Sequence, residues 1–311
     1  MPWWNIPSRV GSGTVGISRR ERGGRELDEE RRVAIGALRS DELDQVVTWA
    51  AGEGWNPGQN DVRIAWDLQP EAFVALRQHD RLAGVGTVFR HATTYGFMGL
   101  FIVDPELRGH GLGSGLWTHR RDLLLSRLRP GATIGMDGVL ALAPFYERGG
   151  FTQAYRNLRM QGVAGHHASE AVPLTVHDLE TIEALDRPTF PVRRTDLLRR
   201  WIDQPGAVVR GILEDEKLTA WAMCRPCAVG HKLGPVVAVD GGAAREAVAG
   251  VLDAVAGDQV QLDVPEVNAD AMALATEFGL VASFACARMY LGTPPSVDLG
   301  SLYGVTSFEF G

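Results

Sequence analysis

The stretch Phe101-Ile-Val-Asp-Pro-Glu-Leu-Arg-Gly-His-Gly-Leu-Gly-Ser-Gly-Leu116 decides the fold. An apolar run stops at Pro105, a loop of small residues follows, and Leu112, Leu116, Leu123, Leu124 and Leu128 then repeat at helical spacing. The reading is strand, loop, helix. Successive backbone N–H groups of Gly109 to Ser114, with the positive end of the helix dipole behind them, form a cradle for a pyrophosphate, and the glycines permit its close approach. Two familiar phosphate motifs do not fit. The Gly-Lys-Ser/Thr ending is missing, and glycines at 109, 111, 113 and 115 miss the dinucleotide-binding spacing. The loop also lies too far into its domain to be the first turn of a dinucleotide fold.

Outward from this stretch, residues 33–38 predict a strand and residues 40–50 a helix capped by Ser40. A turn at 54–58 precedes a weak helix. Residues 73–78, 82–90 and 97–103 read as an antiparallel meander whose first turn holds Asp80 and Arg81. After the loop and its helix come a strand at 133–136, a helix at 140–148 and a strand at 153–160. A polar linker at 162–169 carries His166 and His167, read as solvated. The order then recurs: helices at 176–185 and 196–202, strands at 208–213, 218–224 and 236–239, a helix at 243–256, and a strand, helix and strand through 291. The expected fold class is α/β, in α+β layers: two tandem domains, 33–163 and 170–311, each a mixed, mostly antiparallel sheet flanked by helices.

Two spans carry a family resemblance. Arg108-Gly-His-Gly-Leu-Gly113, following Val103-Asp-Pro105, resembles the acetyl-CoA loop of the GNAT acetyltransferase superfamily, whose pattern is Arg/Gln-x-x-Gly-x-Gly/Ala. Downstream, Phe145-Tyr-Glu-Arg-Gly-Gly-Phe151 resembles that superfamily's Tyr-Glu-Lys-x-Gly-Phe. Together they cover about residues 33–160. The resemblance implies acetyl-CoA as co-substrate, with Phe101, Ile102 and Val103 along the pantetheine arm and Arg108, Gly109, His110, Gly111, Leu112, Gly113 and Ser114 around the pyrophosphate. It implies Tyr146 as proton donor to the CoA sulfur, against a plain packing role at a helix end, and a backbone N–H near Ile102 or Val103 as oxyanion donor. Many members carry Asn and Ala seven and four residues before the tyrosine; here Val139 and Leu142 stand there, and Asp137-Gly138 suggests the arrangement of a bacterial tandem subfamily. In the second half Asp240-Gly-Gly-Ala-Ala-Arg245 lacks the amide cradle, and Ala275 stands where a tyrosine is expected. That half reads as a degenerate GNAT-like domain that shapes the acceptor pocket. Glu309 or the terminal carboxylate of Gly311 could reach the pocket, although a tail packed on its own domain is the preferred reading.

Attack of an amine on a thioester needs a base, an oxyanion donor and an acid for the thiolate. The base is not legible: Glu53, Asp61 and Asp137 are candidates, each also readable as a surface or capping carboxylate. Trp55, Asn56 and Asp137 are the expected acceptor-side residues. Without a Ser-His or Cys-His pair, transfer is expected to be direct. Composition bounds the rest. The 311 residues suit two domains, and 45% hydrophobic with 22% charged residues suits a globular chain. The first 32 residues, Gly-rich and then densely charged, are expected to be disordered, unless Trp3, Trp4 and Ile6 dock on the body or a partner. A net charge of −7 argues against nucleic acid and tolerates a cationic small molecule. No apolar run approaches a membrane span, and three cysteines fit a reducing cytoplasm. Cys224-Arg-Pro-Cys227, with His231 following, has redox-motif spacing but ends a strand, and zinc would need a fourth ligand such as Cys286; strand-end thiols are the preferred reading. The expected activity is N-acetylation of a small-molecule amine (amino sugar, polyamine or amino acid), and a homodimer is compatible with it. An acyl-CoA sensor and a transferase of longer acyl groups are the alternatives.

Overall fold

A computed structural model describes residues 33–311. The expected disorder of residues 1–32 lies outside the described residues. The first half runs β1 (Val33–Ala37), α1 (Leu43–Gly52), α2 (Asp61–Leu68), β2 (Phe73–Gln78), β3 (Arg81–Ala92), β4 (Tyr95–Val103), α3 (Leu112–Arg127), β5 (Thr133–Val139), α4 (Ala143–Arg148) and β6 (Thr152–Val163). The second runs β7 (Val172–Pro173), α5 (Leu179–Asp186), α6 (Thr195–Ile202), β8 (Val208–Glu214), β9 (Lys217–Pro226), β10 (His231–Ala238), α7 (Gly241–Asp253), β11 (Gln259–Pro265), α8 (Ala269–Glu277), β12 (Val281–Leu291) and β13 (Leu302–Gly304).

Ser40 does not cap. It opens a 3-10 turn, Ser40–Glu42, and the Glu42 carboxylate accepts from the Arg39 N–H at 2.8 Å. The first meander turn is His79–Asp80, both at positive φ (51° and 61°), a two-residue hairpin that leaves Arg81 to open β3. The predicted linker starts late because β6 continues through Val163. β7 and β13 are too short to show a period of their own.

All the strands join one mixed sheet, in the order β1-β2-β3-β4-β5-β12-β6-β11-β10-β9-β8-β7, with β13 paired on β10. The last long strand of each half is exchanged with the other. β12 lies antiparallel between β5 and β6, with Met289 opposite Met136 and Ala285 opposite Leu158. β6 in turn pairs with β11, Met160 opposite Leu262. Alternation along each strand separates two cores. Phe73, Ala75, Trp221 and Met223 face α1, α2, α5 and α6. Val74 and Leu76 face α3 and α4 in the first half, and Ala220 and Ala222 face α7 in the second.

Buried forks stitch the halves together. Arg225 donates to both Asp61 oxygens (2.7 and 2.8 Å), and Arg159 to both Asp263 oxygens (2.7 and 2.9 Å). Such pairs add little net stability, but losing one partner strands a buried charge at a cost of about 3–5 kcal/mol.

Candidate active site

The site opens where β4 and β5 part. Their parallel pairing covers only Tyr95, Gly96 and Phe97 against Thr133, Ile134 and Gly135. On its other side β4 is bulged: Val85 faces Ile102 and Thr87 faces Gly99, so three residue steps on β4 oppose two on β3. Leu100 takes the strain at φ 46°. Arg120, buried on α3, spans the break, its Nη2 donating to the Thr87 carbonyl (2.8 Å) and the Gly99 carbonyl (2.7 Å). Burial pulls its pKa down to about 9, so it remains a cation at neutral pH.

The resulting cleft has a volume of about 680 Å³. Phe101, Ile102 and Val103 line it, as do Arg108, Gly109, Gly111, Leu112, Gly113 and Ser114. Gly109 and Gly111 hold φ of 84° and 80°, the left-handed region where a side chain is disfavoured. α3 follows Gly111 at its N-cap, with no side-chain cap and no acid in its first turn; the Ser114 N–H donates to the Gly111 carbonyl (3.2 Å), and Leu112 and Gly113 line the cleft at a helix start that no side chain caps. Arg108 pins the loop: Nε donates to the Val103 carbonyl (2.9 Å) and the guanidinium pairs with Glu53. His110 departs from expectation. Its side chain is exposed, 3.3 Å from the Leu107 carbonyl, and lies outside the lining, because the turn at Gly109 swings it toward solvent.

Tyr146 is buried in the wall, its ring 4.9 Å from that of Trp117. Gly138 makes room for it, since a Cβ there would lie 2.5 Å from the ring. Burial raises the phenol's pKa, against the pull of Arg120, so Tyr146 is protonated at neutral pH.

The acceptor-side expectations divide. Trp55 lines the cleft. Asn56 does not: its Nδ2 donates to Cys227 Sγ (3.0 Å) and the Val229 carbonyl (3.1 Å), stapling the halves. Asp137 lines the cleft, but Arg288 forks onto it (2.8 and 2.6 Å) and Asn157 donates to it (2.8 Å); burial raises its pKa against the pull of Arg288. Asp61 is consumed by Arg225, and Glu53 by Arg108. Cys224 is a core thiol pushed up to about 12 by burial.

Other lining residues come from the second half: Phe284 and Cys286 on β12, and Phe308 and Glu309 beyond β13. Cys286 entered the sequence reading only as a possible zinc ligand, and Glu309 as the less favoured view of the tail. Strand exchange brings Cys286 to the cleft, and the segment after β13, packed against Gly99, brings Glu309; local periodicity carries no signal of either.

The equivalent wedge in the second half is closed. β10 and β11 pair through Leu233 and Leu262 and then part, and β13 fills the gap. Leu302 and Gly304 pair with β10, and the Val305 N–H donates to the Asp263 carbonyl on β11 (2.8 Å). Asp240 caps α7, accepting from the Ala243 N–H (2.9 Å), which places a carboxylate where a pyrophosphate would sit.

A family model described as an acetyltransferase (GNAT) domain matches residues 58–168, and a second with the same description matches residues 182–304. The chain belongs to the GNAT acetyltransferase superfamily. It is a tandem GNAT protein, and an enzyme that transfers an acyl group from an acyl-CoA. The sensor alternative is therefore set aside. The chain is similar to a holothin acyltransferase of Pseudoalteromonas sp. (strain SANK 73390), 24% identical over 277 residues, covering 87% of this chain and 92% of that one. Its fold is like that of a putative acetyltransferase from Pyrococcus horikoshii (TM-score 0.77, 19% identity, covering 90% of this chain and 96% of that one). It also resembles a tandem GNAT protein from the clavulanic acid biosynthesis pathway (TM-score 0.61, 18% identity, covering 85% and 100%). Among the described residues no helix is long and apolar enough to cross a membrane.

Proposed function

We propose that this tandem GNAT enzyme moves an acetyl group from acetyl-CoA to the primary amine of a small molecule by direct attack. The observation that carries the reading is an open wedge holding both an uncapped helix N-terminus and a protonated Tyr146. The amine nitrogen bonds to the thioester carbon. The carbonyl oxygen, as it gains charge, meets the backbone N–H of Ile102 or Val103. The C–S pair departs on sulfur, and Tyr146 gives that sulfur its proton. Cys286 lines the same cleft, but burial, reinforced by Asp137 and Asp263, raises its pKa well above the ordinary thiol value. A thiol held protonated is a poor nucleophile, which supports transfer without an acyl-enzyme.

A longer acyl group is the second reading. Met98, Leu100, Met136, Trp117 and Phe145 give the cleft more apolar wall than an acetyl methyl requires. One experiment serves both: thiol release from acetyl-, butyryl- and hexanoyl-CoA with a panel of primary amines, for the wild type and Tyr146→Phe. The variant is expected to lose about 100-fold or more in kcat with acyl-CoA affinity retained. Unchanged turnover would remove Tyr146 from the chemistry, and the preferred chain length selects between the two acyl readings.

A further inference from the structure

Three carboxylates line the cleft: Glu53, Asp137 and Glu309. Arg108 takes the first and Arg288 the second. Glu309 differs from both. It is 2% exposed, its Oε2 accepts from the Ser307 hydroxyl at 2.5 Å, and its Oε1 has no hydrogen-bond partner among the described residues. Arg159 on β6, Arg225 on β9 and Cys286 on β12 feel its charge, but the two guanidiniums are forked onto Asp263 and Asp61. A buried carboxylate oxygen without a donor is costly, and a cationic ligand relieves that cost.

The position is built. Ser307 Oγ accepts from the Glu309 N–H (2.9 Å) and the Phe310 N–H (3.3 Å), closing a tight turn. The Glu309 carbonyl packs against Gly99, where a Cβ would come within 1.9 Å of it, one residue before the bulge. Phe308 and Phe284, rings 6.4 Å apart, stand beside it in the cleft wall with Trp55. Aromatic walls next to an acid suit an alkylammonium.

We propose that Glu309 receives the acceptor's ammonium group and takes its proton, so that the half whose own acyl-CoA wedge is plugged supplies the base for the other half. This rests on the amine-acylation reading above. The ammonium proton passes to Glu309 and then to water. The freed nitrogen forms the C–N bond, the C–S bond breaks onto sulfur, the Tyr146 proton goes to sulfur, and the nitrogen's surplus proton restores the phenol. One proton is released per turnover.

The test compares Glu309→Gln and Glu309→Asp with the wild type in acetyl-CoA thiol release. The acceptors are putrescine, glucosamine, lysine and tyramine, which are ammonium ions at neutral pH, and aniline, which is neutral. Glu309→Gln is expected to lose about 100-fold in kcat/KM on the alkylamines, recovering as rising pH deprotonates the amine, and much less on aniline, with acetyl-CoA affinity within about twofold. Glu309→Asp, which keeps the charge, is expected to fall between. Near-wild-type rates of Glu309→Gln on alkylamines that the wild type acylates would overturn the assignment alone. Equal losses on aniline and alkylamines in both variants would reduce Glu309 to a structural part and overturn it too. No thiol release by the wild type from acetyl-, butyryl- or hexanoyl-CoA with any of these amines would overturn the amine-acylation reading and this assignment with it.

Discussion

His91 ties the C-terminal segment to β3: its Nε2–H donates to the Phe310 carbonyl at 2.8 Å. The imidazole packs, tilted or edge-on, against the rings of Phe89, Tyr95 and Phe190. Burial pulls its pKa from 6.5 to about 3, opposed by the hydrogen bond to Phe310 and aided by Arg194. Between those values the unfolded chain binds more protons, so stability present above pH 6.5 is lost as pH falls toward 3. The full linkage from pH 6.5 to 5 would be about 2 kcal/mol, and the residue is only partly buried, so about 1–2 kcal/mol is expected. His91→Gln keeps an N–H donor and cannot titrate. Urea unfolding of the variant should lack this loss over that interval, and the same slope in both proteins would refute the assignment. Glu183, Asp253 and Asp263, whose pKa values are lowered, lose their contributions at more acid pH and do not enter the window. None of this was legible along the chain, where His91 lies 219 positions from its partner.

β4 and the segment after β13 behave as one device. The Gly-rich loop at the end of β4 was readable because it is a backbone requirement written in consecutive residues: Gly109 and Gly111 are where φ turns positive. The bulge at Leu100 was not, because its existence depends on how β3 registers against β4 and on the Arg120 bridge. Gly99 is the joint between bulge and tail. Gly99→Ala sets a methyl against the Glu309 carbonyl, backbone against backbone, with no flexible side chain to yield. The expected cost is about 1–3 kcal/mol of stability. Displacing Glu309 and Phe308 should also raise the acceptor KM while acetyl-CoA affinity holds. Calorimetric binding beside steady-state kinetics checks this; a loss of acetyl-CoA binding with the acceptor KM unchanged would show that the tail does not shape the acceptor side.

The exchanged strands make the two halves one structural unit, although only one half keeps an open wedge. β13 plugs the second wedge and Asp240 caps the helix behind it, so one acyl-CoA per chain is expected. Isothermal titration with a non-hydrolysable acyl-CoA should give a stoichiometry near one, and two equivalent sites would refute the plug. The sequence alone determined what consecutive residues can encode: element order, the Gly-rich turn from strand to helix, Tyr146 as a candidate acid, and the absence of such a Gly-rich turn from the second copy. These are short-range constraints of backbone geometry and periodicity. Tertiary structure decided which strand closes which sheet, that Asn56 and Asp61 serve the seam between halves, that Arg288 claims Asp137, and that Glu309 enters the other half's cleft. Each of these depends on partners far apart in the chain. Such partners are chosen by packing and by the cost of leaving a buried charge without a partner, which no local pattern records.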